Sequence, residues 1–141
     1  MRALVFALCV LMITKLSAQN SVNWTEDQLM EPVVLAAAIT TKKDVPIIFH
    51  VGPGAVIPHS IDIGMTNEQE NLDKLKEQLS PLAKHQKIVL YCGCCPFDRC
   101  PNVRPAIQLL KNMNFSNYYL LNIPTNIKVD WISKGYPSAG K

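Results

Sequence analysis

Apolar residues in this chain gather into short blocks of two kinds, continuous and helically spaced. Val45 to Val51 is a continuous run rich in β-branched residues, closed by Gly52-Pro53-Gly54. Its length predicts a buried strand rather than a helix. Lys87-Ile88-Val89-Leu90-Tyr91 is the clearest strand, an unbroken apolar run of the kind found where both faces of a sheet are covered. Ser60 to Ile63 and Tyr118 to Leu121 read as two more short strands. The helical blocks lie between them. Thr25 and Gln28 have the spacing of a capping box, and Pro32 opens a second short helical run from Val33 to Ile39 before Thr40-Thr41. Thr66 and Gln69 make another capping box ahead of Leu72, Leu75 and Leu79, which share one helical face. Ala106 to Met113 reads as a helix whose start near Asn102 to Arg104 is set by Pro105, tolerable only in a first turn. Asn126 to Lys134 forms a last helix closed by Gly135 in a left-handed cap. Helices alternating with short buried strands predict an α/β fold: a mostly parallel central sheet with helices on both faces. Ligands of such sheets bind beyond the carboxyl ends of the strands.

The N-terminus follows a different pattern. Arg2 is followed by an unbroken apolar run of 11 residues, Ala3 to Ile13, and then by Thr14-Lys15-Leu16-Ser17-Ala18. That is the layout of a secretory signal peptide over residues 1–18, and the run is shorter than the roughly 20 residues a membrane span needs. Residues 19–141 are then a single exported domain, secreted or periplasmic, with no stable membrane span after cleavage. The chain carries 14 basic and 11 acidic residues, a net charge of +3; without Arg2 and Lys15 it falls to +1. So weak a balance lacks the concentrated basic face that nucleic acid requires.

Five cysteines are present, and one, Cys9, lies within the leader. The other four, Cys92, Cys94, Cys95 and Cys100, crowd into nine residues, whereas a disulfide scaffold would spread them to tie distant segments. They occupy the loop that runs from the strand ending at Tyr91 to the helix beginning near Asn102. Amides in such a loop, with the positive end of the helix, favour thiolate over thiol and suit an anionic ligand. Cys92, at the strand end, is the candidate nucleophile, with Cys94 or Cys95 as the alternatives. Arg99 and Arg104 are placed to meet an anion, or else to serve as a solvated loop charge and a cover for the helix start. Asp98 is expected to point outward, and Cys94, Cys95 and Cys100 are candidate resolving or disulfide-forming thiols. His59 reads as a polar loop residue; His50, His85, Trp24 and Trp131 read as structural or surface residues.

At Ile88-Val89-Leu90-Tyr91-Cys92, followed by the loop and Ala106-Ile107-Gln108-Leu109-Leu110, the chain resembles the rhodanese family. Ile57-Pro58-His59-Ser60-Ile61-Asp62-Ile63 and Trp131-Ile132-Ser133-Lys134-Gly135-Tyr136-Pro137 resemble two further family segments, in the family's order, and the resemblance runs from about Val45 to Pro137. It implies a rhodanese-type sulfurtransferase needing no cofactor. Cys92 would carry sulfane sulfur as a persulfide, with Gly93, Cys94, Cys95, Phe97, Arg99 and Arg104 lining the substrate site. The partners would be a small sulfur donor and a thiol acceptor. The loop is larger than the family's usual active loop and carries three extra cysteines, which suggests a different donor or a built-in acceptor thiol.

The alternative is a non-catalytic redox or soft-metal module using the same four cysteines. Against a metal, structural zinc sites take ligand pairs from separated segments, and a four-ligand cage from this one loop is expected to be awkward. A related cysteine-phosphatase chemistry is disfavoured by spacing: six residues separate Cys92 from Arg99, and four separate Cys94 from it.

Overall fold

The computed structural model describes residues 22–139. The expected leader, residues 1–18, lies outside the described residues. The fold is α/β with five parallel strands: β1 (Leu29–Met30), β2 (Ile47–His50), β3 (Ile61–Asp62), β4 (Ile88–Tyr91) and β5 (Tyr118–Leu121), in the order β1-β5-β4-β2-β3. The helices are α1 (Pro32–Thr41), α2 (Gln69–Leu79), α3 (Val103–Asn112) and α4 (Ile127–Asp130). None of the described helices is long and apolar enough to cross a membrane.

Because side chains alternate along a strand, each central strand feeds two separate cores. Phe49, Ile88, Leu90 and Leu120 point to one face, where they meet Leu75 and Leu79 of α2 and Val103, Ala106, Ile107 and Leu110 of α3. Ile48, Val89, Tyr91 and Leu121 point to the other, against Leu35, Ala36 and Ile39 of α1 and Trp131. All four residues of β4 are buried, which explains why this strand was the most legible in the sequence.

Three elements differ from expectation. Strand β1 lies where only a capping signal and Pro32 were visible. It pairs with β5 through the backbone, Leu29 opposite Leu120 and Met30 opposite Leu121. The capping box before α2 does not form: Glu68 is the N-cap, Gln69 Nε2 donates to Asp73 Oδ1 (2.9 Å), and the buried Thr66 hydroxyl donates to the Asn102 carbonyl (2.6 Å). The last helix is broken in two, α4 and a 3-10 turn over Ile132–Lys134, because Trp131 between them is drawn fully into the core. Gly135 closes it with φ +73°, as the sequence predicts.

Candidate functional site

Cys92 owes its position to the alternation of β4. After Leu90 and Tyr91, residue 92 falls on the α2–α3 side, at the carboxyl end of a central strand, and is only 5% exposed. Tyr91, facing the other way, fixes the neighbouring loop: its hydroxyl accepts from the amides of Val56 and Ile57, both at 3.1 Å, and lies 3.1 Å from Ser60 Oγ. The Ile57–Ile63 segment and the strand that ends at Tyr91 therefore meet beside Cys92.

Gly93 then reverses the chain. Its φ of +83° disfavours any side chain, and an added Cβ would come 2.9 Å from Ile127 Cβ. Its carbonyl accepts from the Ile127 amide at 2.8 Å, which holds the loop against the start of α4. The Phe97 amide donates to the Ile123 carbonyl (3.2 Å). Tight turns from Pro96 to Arg99 and from Phe97 to Cys100 then fold Cys100 back into the interior.

The four sulfurs converge, all within 4.8 Å of one another. Cys92 Sγ lies 3.2 Å from Cys94 Sγ, which lies 3.2 Å from Cys95 Sγ. Cys92 and Cys100 are buried, Cys95 is half-buried and Cys94 is exposed, so the cluster opens outward through Cys94. One loop does bring four thiols round a point, contrary to the expectation that such a cage would be awkward. Two tight turns within the loop supply the bend that its linear spacing does not reveal. All four are free thiols.

Their protonation is uneven. The Cys92 thiol is lowered from its ordinary 9.0 to about 5. The largest cause is the hydrogen that Cys100 directs at it; burial opposes this, and the Cys94 amide, the Asn102 side-chain amide and the Cys94 thiol reinforce it. Asn102 Nδ2 donates to Cys92 Sγ at 3.5 Å. Cys94 is pushed up to about 12, chiefly because the loop around it strips part of its water, and then by its contacts with Cys95 and Cys92 and by the charge on Cys92. Cys100 is pushed far up because it surrenders its hydrogen bond to Cys92, with burial adding to the effect. The helix-start amides expected to serve Cys92 point elsewhere: those of Asn102 and Val103 reach the Cys100 sulfur. The positive end of α3 thus acts on Cys92 through Cys100, and the one loop amide on Cys92 itself is that of Cys94.

The expected anion-binding side chains divide. Arg99 is exposed on the loop, and Asp98 points outward as expected. The Arg104 guanidinium is occupied: Nη2 donates to the Asp98 carbonyl (2.6 Å), and its carbon lies 5.7 Å from the Trp24 ring centre. It covers the helix start. Phe97 is half-buried, with its ring 5.7 Å from that of Trp24.

Three residues make contacts with Cys92 that the sequence does not reveal, His50, expected as structural or surface, among them. Gly52 abuts the Cys92 sulfur: a Cβ there would stand 2.5 Å from Cys92 Sγ. His50, fully buried, donates from Nε2 to the Cys92 carbonyl (3.0 Å), while its Nδ1 lies 2.8 Å from Asp62 Oδ1. Asn102 accepts from the Asn67 amide at 3.2 Å while giving its Nδ2 to Cys92. Its place at a helix start was visible, but its inward aim was not. No protein-family model and no curated protein matches this chain.

Proposed function

We propose that this protein is a rhodanese-like sulfurtransferase that carries sulfane sulfur as a persulfide on Cys92. The observation that carries the reading is the position and surroundings of the Cys92 sulfur: at the carboxyl end of a central parallel strand, with Asn102 Nδ2 donating to it at 3.5 Å and the Cys94 sulfur 3.2 Å away. The thiolate is the nucleophilic form, and a site that presents donors to a buried sulfur favours that form. Cys92 attacks the outer sulfur of a polysulfide or organic persulfide, and the donor's inner sulfur leaves with the bonding electrons. An acceptor thiolate then attacks the transferred sulfur and frees Cys92 as thiolate. The resemblance from Val45 to Pro137 supports the same chemistry, and the leader expected at residues 1–18 supports an exported protein. Thiocyanate formation from polysulfide and cyanide tests the reading. With a thiol present to keep the cysteines reduced, the native protein is expected to accelerate it and Cys92→Ser to fall to the uncatalysed rate; equal rates for the two would overturn it.

A second reading, a soft-metal site, is favoured by the convergence of four sulfurs within 4.8 Å. Tetrahedral zinc–thiolate bonds of about 2.3 Å would require separations close to these. Metal analysis of protein purified under reducing conditions separates the two: a stoichiometric thiophilic metal that blocks sulfur uptake supports the second, and metal-free protein that takes up sulfur supports the first.

A further inference from the structure

We infer that Cys94 is a resolving thiol, which discharges the Cys92 persulfide as sulfide by forming a Cys92–Cys94 disulfide. The inference rests on Cys92 being the sulfur carrier, and it names how the persulfide is discharged and the same site regenerated.

Burial poses the problem that Cys94 answers. Cys92 is 5% exposed, with Gly52 directly against its sulfur, so a bulky acceptor has poor access to it. Cys94 is exposed, yet its sulfur lies 3.2 Å from Cys92 Sγ. Cys95 Sγ, at 3.2 Å from Cys94, is on the far side of Cys94 in this chain of contacts. Cys100 is the other neighbour of Cys92, but it is fully buried and out of reach of an external reductant.

The step balances as follows. Cys94 sulfur attacks Sγ of the Cys92 persulfide. A bond forms between the two Sγ atoms, and the bond from Cys92 Sγ to the outer sulfur breaks. The outer sulfur departs as hydrosulfide, taking the bonding electrons and the Cys94 proton. The sulfane sulfur is reduced, and the two cysteines are oxidised. An external thiol then attacks the exposed Cys94 sulfur, and Cys92 leaves as thiolate. A second thiol resolves the mixed disulfide on Cys94. Two external thiols become one disulfide for each sulfide released.

Two features set the direction. Exchange is fastest when the attacked sulfur is accessible and the departing thiol is acidic. Here the accessible sulfur is Cys94, and the departing one is Cys92, which keeps the hydrogens of Cys100 and Asn102. A disulfide spanning the single residue Gly93 closes a small ring, the strained kind that is readily reduced.

The test loads reduced protein anaerobically with inorganic polysulfide, removes the excess, and follows sulfide release and cysteine state without added thiol. The native chain is expected to release one sulfide per persulfide formed and to acquire a Cys92–Cys94 disulfide. Cys94→Ser is expected to retain the extra sulfur on Cys92 until an external thiol is supplied. Sulfide release by Cys94→Ser at the native rate would overturn the inference while leaving Cys92 as carrier. A first disulfide joining Cys92 to Cys100, mapped after mild oxidation of the unloaded protein, would overturn it independently of sulfur loading. Failure of every variant to place sulfur on Cys92 would overturn both this inference and the sulfurtransferase reading.

Discussion

Burial alone would keep Cys92 protonated, yet its ionisation is lowered to about 5 because four groups offer it hydrogens. The folded pKa lies below that of an unfolded thiol, about 8.5, so the unfolded chain binds more protons between these values. Cys92 therefore contributes stability that is present above the unfolded pKa and is lost as pH falls through about 5. In reduced protein the ultraviolet absorbance of one thiolate is expected to titrate with a midpoint near 5 and to be missing from Cys92→Ser. Asn102→Asp keeps an acceptor for the Asn67 amide but replaces the donor with negative charge, so this midpoint should rise. An unchanged midpoint would show that Asn102 does not act on the sulfur. Gly52→Ala sets a methyl group 2.5 Å from Cys92 Sγ. Overpacking of this kind costs about 1–3 kcal/mol, and the displaced sulfur should take up polysulfide at least about tenfold more slowly. Cys92 was legible in the sequence because a cysteine directly follows an unmistakable strand. Gly52 and Asn102 were not, since the contacts that give them roles span 40 and 10 residues.

Among the elements, β4 and the loop into α3 carry the site, and neighbouring strands hold their backbone in place. His50, the last residue of β2, donates to the Cys92 carbonyl just beyond the β2–β4 ladder. Removing it leaves a buried carbonyl without its donor, so His50→Ala should lower unfolding stability by about 1–3 kcal/mol, measured by urea denaturation. A smaller loss than that of an exposed control such as His85→Ala would contradict this. Helix α2 shows where local signals yield to tertiary ones. Thr66 has the right spacing to cap, but α3 offers a buried carbonyl at Asn102 that would otherwise lack this partner. The capping signal was real and the competing acceptor was invisible in sequence. Continuous apolar runs located β2, β4 and β5, because strands covered on both faces leave that mark whatever their partners. The two residues of β1 left none, since their pairing with β5 is made by backbone groups common to every sequence.

For the whole molecule, the parallel sheet with helices on both faces follows from alternation, and this much the chain states openly. The strand order does not follow from local pattern, because it depends on which edge each crossover chooses. The same limit applied to the cysteine loop: its composition announced chemistry, while the convergence of all four sulfurs needed the folded turns from Pro96 to Cys100. In the proposed function, a buried thiolate, an exposed thiol beside it and a sheet that holds both form one device for accepting sulfur and releasing it. Its central claim is most directly tested by locating the sulfur. Cys94→Ser protein, which should retain its load, is treated anaerobically with polysulfide and fragmented in a mass spectrometer. The account predicts one added sulfur on Cys92; an added sulfur on Cys95 or Cys100, with Cys92 unmodified, would contradict it.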